Sequence, residues 1–306
     1  MPAFRFALAV SLALGLAGPL AADPPKGDRP GGETPARLLI GLIPEFNIFQ
    51  QKARFKVLGE HVSGKIGVAI EFTVLSRYGN ILETFKTAGM DGAFFGSFTG
   101  ALAIGRLGVV PVARPVNLDG NSTYQGFIFV RKDSGIETAE QMRGKSVAFV
   151  DKATTAGYLF PLAWLKGQGI KESPKDFFSE SYFSGSHDAA IQSILDKKHA
   201  IGCAKSTIWE RVRKESPRVD QELKILARSL QVPSNGLCVR KDLKPELRDA
   251  LQRALLGLEA DAEGRRVLER FQALRFIATG AEDYAPVQRL AEAAGIDLAT
   301  YDYRND

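Results

Sequence analysis

The chain has 306 residues, 45% hydrophobic and 25% charged, enough to bury a core without disulfide or metal staples. Its formal charge of +5 is spread over interleaved acidic and basic residues with no basic block or basic–aromatic stripe, which excludes a nucleic-acid-binding surface of the usual kind. Only two cysteines, Cys203 and Cys238, are present and no His or Cys cluster has metal-ligand spacing, so neither a disulfide scaffold, a metal nor a cofactor is expected.

In chain order, MPAFR supplies a positive start, FALAVSLALGLAG an apolar run and PLAAD a small-residue exit. Residues 1–22 read as a secretory signal peptide cut near Ala22, too short in its apolar part to span a bilayer comfortably. No cysteine lies near the cut, which argues against a lipoprotein. The Pro- and Gly-rich stretch 23–36 reads as a flexible leader. A periplasmic location follows from this reading, with the two cysteines as separate buried thiols.

From Arg37 short apolar runs alternate with amphipathic stretches. RLLIGLIP, VAIEFTVLS and DGAFFGS read as strands, separated by helices over FQQKARFKVLGEHVSGKIG and ILETFKTAGM, with a further helix over TGALAIGRLG and an extended VVPVARPV. Glu71 and Asp91 read as solvated faces. A second series follows: strand KSVAFVD, helix GYLFPLAWLKGQG, strand ESYFSG, helix DAAIQSILDKK and strand HAIGCAKS. The C-terminal helices PELRDALQRALLGLEADAEGRRVLERF and YAPVQRLAEAAGI complete the chain. This alternation predicts α/β sheets with parallel strands and helical crossovers.

Two segments, GFIFVRKDSG (126–135) and GLCVRKDLK (236–244), share an apolar strand followed by Val-Arg-Lys-Asp and flank the second series. They suggest a chain that crosses between two lobes twice. Lobe 1 is then 37–126 plus 236–306 and lobe 2 is 127–235, with a cleft between them.

Three strand-to-helix turns carry candidate chemistry. In FVDKATTAGYLFP, Thr154 and Thr155 stand at a helix N-terminus, where unpaired N–H groups and the helix dipole favour an anion and Gly157 permits close approach. An ordinary N-cap would need only one hydroxyl. In DGAFFGSFTGALA, Ser97 and Thr99 with the N–H groups of Phe98 and Thr99 form a second donor cluster. In FSGSHDAAIQSIL, His187 either caps a helix or reaches into the cleft. No nucleophile–base pair, Gly-x-Ser-x-Gly elbow, HExxH, Walker loop or complete dinucleotide fingerprint accompanies them, so binding without turnover is favoured over an enzyme.

These segments resemble the periplasmic phosphate/phosphite/phosphonate-binding proteins of ABC transporters over about residues 37–295. FVDKATTAGYLFP is similar to that family's anion loop and FSGSHDAAIQSILDKK to its Gly-Ser/Thr-His-Asp-Ala segment; SRYGNILETF, DGAFFGSFTGALA and VRKDSGI also match. The resemblance implies a two-lobed binding protein of the double-hinge type, each lobe a β-sheet flanked by helices. It implies that Thr154 and Thr155 donate to the anion together with the N–H groups of Ala156 and Gly157. His187 would reach the same oxygens, and Tyr78 and the Ser97 turn would close from the first lobe. Tyr124, Tyr158, Lys205, Thr207 and Asn235 are further candidates. Aminoalkylphosphonate binders hold the ligand's ammonium with acidic residues; the corresponding positions here align with Thr207 and Asn235, with Lys205 nearby, which disfavours an aminoethyl ligand. The expected function is lobe closure on a phosphate-like oxyanion, as a monomer, for delivery to an ABC permease. The alternative is a sensor of phosphate or an arsenic oxyanion acting on a histidine kinase in the inner membrane.

Overall fold

The computed structural model describes residues 37–75 and 78–305; the expected signal peptide and leader lie outside them. The first run comprises β1 (Arg37–Leu42), α1 (Ile48–Ile66), β2 (Ala69–Val74), α2 (Ile81–Thr87), β3 (Gly92–Phe95), α3 (Ser97–Leu107) and β4 (Val110–Asn117). Short β5 (Thr123–Tyr124) leads to the second run: β6 (Gly126–Arg131), β7 (Ser146–Phe149), α4 (Phe160–Gly167), α5 (Pro174–Phe177), β8 (Glu180–Phe183), α6 (His187–Leu195), β9 (Ile201–Lys205), α7 (Ser206–Glu215), α8 (Arg218–Glu222) and β10 (Leu223–Arg228). The chain returns through β11 (Val232–Pro233) into β12 (Gly236–Val239), α9 (Pro245–Leu256), α10 (Ala262–Phe271), β13 (Ala273–Ala278) and α11 (Ala285–Ala294).

Two helix-flanked sheets result, ordered β13-β4-β12-β3-β1-β2 and β10-β6-β9-β7-β8. Each is mixed where an all-parallel sheet is the simpler expectation. Only β3-β1-β2 and β9-β7-β8 are parallel; β12, β4 and β13 in the first sheet and β6 and β10 in the second pair antiparallel. Strands β4 and β10 run into the crossings and β6 and β12 leave them, the latter two entering their sheets without an intervening crossover helix, while β13 is reached through α9 and α10.

The two Val-Arg-Lys-Asp segments end in different sheets, β6 in the second and β12 in the first. The passage itself is made by their N-terminal neighbours: β5 and β11 pair antiparallel, Tyr124 opposite Val232 and Thr123 opposite Pro233. Ser234 N donates to Ser122 O at 2.9 Å and Gly126 N to Ser229 Oγ at 2.8 Å, so the two connections are laced together.

The central strands are buried on both faces, as strands covered by helices on each side must be: every residue of β3, β9 and β12 is buried. Close packing explains small residues there. A Cβ on Gly202 would collide with the Phe129 ring, and one on Gly41 would come within 2.8 Å of Met90 Sδ. Asp91 is a correction to the solvated-face reading. It is 1% exposed, accepts from Leu39 N at 2.9 Å and from Arg240 Nε at 3.1 Å, and so ties β1 to the end of β12. Glu71 is exposed and pairs with Arg37. Cys203 and Cys238 are separate buried thiols; burial pushes the Cys238 thiol up to about 12, which keeps it protonated.

The last elements also differ from the expected return to the first lobe. Helices α9 and α10 pack on the first sheet's layer, but α11 lies against α4 as well as α3. Beyond it, Arg106 of α3 donates to Leu298 O and Tyr301 O, while Asn305 Oδ1 accepts from Lys152 N at 2.9 Å and its amide donates to Asp151 Oδ2 at 2.8 Å. The C-terminal segment therefore joins α3 to the loop after β7.

Candidate functional site

A small cavity lies where the two sheets' strand ends face each other, lined by residues of both, as ligand sites of open α/β sheets usually are. From the first sheet, β3 ends at Gly96, whose extended backbone (φ −68°, ψ 167°) turns directly into α3. The N–H groups of Ser97, Phe98 and Thr99 precede the first intrahelical bond, Gly100 N to Gly96 O. A Cβ on Gly96 would stand 3.1 Å from Ile43 Cδ1 and 3.7 Å from Asn235 Oδ1, that is, in the cavity wall.

From the second sheet, β7 ends in a turn knotted by Asp151. Its Oδ1 accepts from Ala153 N at 2.8 Å, and its carbonyl accepts from Thr154 N at 3.0 Å and Thr154 Oγ1 at 2.6 Å. The helix that follows opens with a π turn, Thr155–Leu159, closed by Leu159 N to Thr154 O, before α4. The expected helix start at Gly157 is thus two residues late. A π turn lengthens the first hydrogen-bonded ring by one residue, so the unpaired N–H groups run from Thr155 to Tyr158.

The two helix starts meet. Ser97 Oγ is hydrogen-bonded to Thr155 Oγ1 at 2.6 Å and to Tyr124 OH of β5 at 2.6 Å, a buried chain of three hydroxyls linking first sheet, crossing strand and second sheet. His187 opens α6 and is 4% exposed. Its Nδ1 accepts from Lys205 N at 3.2 Å, which places the imidazole proton on Nε2. Burial, opposed by the Glu45 carboxylate, lowers its pKa to about 4, so the ring is a neutral donor at pH 7. The Tyr78 ring sits edge-on to His187 at 6.2 Å. Its buried hydroxyl has no hydrogen-bond partner among the described residues, and burial raises its pKa so that the proton is kept.

Lys205, the last residue of β9, is 6% exposed and turned into the cavity. Its ammonium bonds Glu45 Oε1 at 2.6 Å and Asn235 Oδ1 at 3.0 Å and lies 4.4 Å from the centre of the Tyr124 ring. Burial pushes Glu45 up, but the attraction of Lys205 and its hydrogen bond outweigh this and hold the carboxyl below its ordinary range. Glu45 and Lys205 cancel, so the cavity presents hydroxyl, imidazole and backbone dipoles with no surplus fixed charge.

Of the residues expected from the sequence, Tyr78, Ser97, Phe98, Tyr124, Thr154, Thr155, His187, Lys205 and Asn235 line this cavity. Five do not. Thr99 turns its hydroxyl back to Gly96 O at 3.2 Å. Ala156 packs its Cβ on Gly126, and Gly157 is small because a Cβ there would strike Val150 and stand 2.6 Å from Thr154 Oγ1. Helix-to-strand packing, not approach to a ligand, requires that glycine. Tyr158 packs on Phe149 and Phe183, and Thr207 faces the wide groove at the cleft mouth. Thr154 lines the cavity, but its hydroxyl proton goes to Asp151 O and not to the cavity.

Ile43, Glu45, Gly96 and Ala153 were not expected there. Glu45 follows the C-terminal end of a central parallel strand, the end where α/β sites gather, and that position was the available signal. In this closed arrangement the cavity is about 10 Å³, room on the order of one water molecule, so a larger guest requires the Ser97–Thr155 contact to open.

Residues 40–284 match the family described as the periplasmic substrate-binding protein of phosphonate ABC transporters. A phosphate-import protein of Mycolicibacterium smegmatis is 25% identical over 74% of this chain and 74% of its own. A binding-protein component of a Pseudomonas aeruginosa ABC phosphonate transporter superposes with a TM-score of 0.76, at 21% identity over 84% of this chain and 86% of that one. A Prochlorococcus marinus protein solved in complex with methylphosphonate gives 0.75, at 20% identity over 86% and 99%. These solved structures share the two-lobed binding-protein fold seen here.

Proposed function

We propose that this chain, which belongs to the family of periplasmic substrate-binding proteins of phosphonate ABC transporters, captures a phosphate-like oxyanion between its two sheets and presents the closed form to the permease. Members of the family bind substrate and do not transform it. The oxyanion is phosphate, phosphite or a short alkylphosphonate, and the exported chain works in the periplasm, in line with its N-terminal 22 residues. Among relatives, one is named for phosphate import and another is solved with methylphosphonate.

The observation that carries this reading is the hydroxyl bridge between two helix starts from different sheets, Ser97–Thr155, completed by Tyr124. With an anion between them, the same hydroxyls turn their protons inward, joined by Nε2–H of His187, Tyr78 OH and the unpaired N–H groups at Phe98 and Thr155. A ligand that touches both sheets only when they are closed stabilises the closed state. Charge-assisted hydrogen bonds contribute about 1.5–3 kcal/mol each. Four to six of them, less desolvation and closure, leave about −8 kcal/mol, a micromolar dissociation constant. No observation favours sensing over transport.

Titration calorimetry of the mature chain against phosphate, phosphite, methylphosphonate, arsenate and sulfate tests the proposal. Binding at micromolar or tighter Kd is expected for at least one phosphorus oxyanion. Thr155→Val should weaken it tenfold or more, with little change in Tm. Absence of heat with every anion, or an unchanged Kd in the variant, would remove this site from the reading.

A further inference from the structure

Next to the small cavity lies a much larger groove of about 690 Å³, bordered by both sheets and reaching Arg54, Arg211 and Phe271. Four residues line both spaces: Lys205, Glu45, Asn235 and Tyr124. These are one bonded unit, since the last three are the partners of the Lys205 ammonium, at 2.6 Å, 3.0 Å and 4.4 Å from the ring centre. They come from four places in the chain: the end of β9, the segment after β1, the link between β11 and β12, and β5. The ammonium is thus held by groups from all these places at the boundary of cavity and groove.

Resting on the oxyanion reading above, we propose that the Glu45–Lys205 pair is a partition that sets ligand size. It admits a tetrahedral oxyanion whose substituent stays on the cavity side and bars longer chains from the groove. The argument is steric and electrostatic. A substituent that outgrows the cavity must leave it, and the wall it would cross on the groove side is the lysine side chain. To displace it, a neutral chain would have to strip a buried carboxylate of its cation without replacing it, which is strongly unfavourable. A chain ending in its own ammonium could supply the replacement, but it competes with a lysine already in place.

The mature wild-type chain, Lys205→Ala, and Lys205→Ala combined with Glu45→Gln are compared by calorimetry. The probes are methylphosphonate, propylphosphonate, 2-aminoethylphosphonate and 3-aminopropylphosphonate, with circular dichroism to verify folding. Wild type should bind methylphosphonate at least tenfold more tightly than the other three. Lys205→Ala should reverse this for the amines, binding the better of them at least tenfold more tightly than propylphosphonate, because Glu45 then lacks a cation. The double variant, which buries no unpaired charge and keeps the test available should the single variant unfold, should accept propylphosphonate and show no preference for an amine. Wild type binding propylphosphonate as tightly as methylphosphonate, or variants that exclude the longer chains as wild type does, would overturn the partition alone. Wild type binding neither methylphosphonate nor phosphate, tested in parallel, would overturn the oxyanion reading and the partition with it.

Discussion

A buried imidazole that is neutral at pH 7 has a consequence for the free protein. The folded pKa of His187 lies near 4, against about 6.5 for an unfolded histidine. Between those values the unfolded chain binds a proton that the folded chain does not, so stability rises with pH from 4 to 6.5 and falls on acidification through the same window. The difference corresponds to on the order of 3 kcal/mol. Chemical denaturation of the ligand-free protein at pH 6.5, 5.5 and 4.5 should show this loss, and His187→Gln should flatten it. A bound oxyanion accepting from Nε2 favours the protonated ring, so ligand should also reduce the slope. Equal slopes in wild type and variant would show that His187 titrates normally. At this scale the types of residue were legible but their pairings were not. Hydroxyls, imidazole and tyrosine were visible in their motifs. That Thr154 would give its proton to Asp151 O, three residues back, depends on turn geometry. That Glu45 would find Lys205 depends on two segments 160 residues apart.

At the scale of elements, the π turn at Thr155–Leu159 places Thr155 opposite Ser97. Its position depends on Gly157, whose missing side chain lets the helix start press on Val150 at the end of β7. Gly157→Ala would set a methyl group 2.6 Å from Thr154 Oγ1 and 2.7 Å from Val150 Cγ2. Neither atom belongs to a long flexible side chain, so the turn must shift. Overpacking of this kind costs about 1–3 kcal/mol. The expected result is a lower Tm together with at least tenfold weaker oxyanion binding as Thr155 moves off its mark. A variant that loses stability and keeps full affinity would show that the turn's placement is immaterial to the site. The strand–turn–helix order around this glycine could be read from hydrophobic alternation. The π geometry could not, because rings closed at the fourth or the fifth residue place the same residue types in much the same order. Strand direction was equally hidden: buried strands such as GAFF and GLCV are apolar on both faces whichever way they run.

At the scale of the molecule, the two sheets are joined by more than the β5–β11 pair and the cavity. The segment after α11 is anchored on the first side by Arg106 and by the Phe98–Tyr301 ring contact at 5.6 Å. On the second side Tyr301 OH donates to Lys152 O at 3.1 Å, and Asn305 holds Lys152 and Asp151, the residues that shape the turn before Thr155. Such a strap biases the free protein toward closure, and a protein already partly closed spends less of its ligand's binding energy on closing. Removing residues 297–306 should therefore shift the ligand-free ensemble open, seen as a larger radius of gyration by small-angle X-ray scattering. It should also weaken oxyanion binding about three- to tenfold, mostly through faster dissociation. Saturating ligand should return the truncated chain to the dimensions of the intact one, because the cavity contacts remain. The described residues of the deleted segment add Tyr303, Leu298 and Tyr301 to the packing but no helix or strand, so far-UV circular dichroism should be nearly unchanged. A truncated chain with the intact chain's radius of gyration and affinity would mean that the tail lies along a closed molecule without helping to hold it closed.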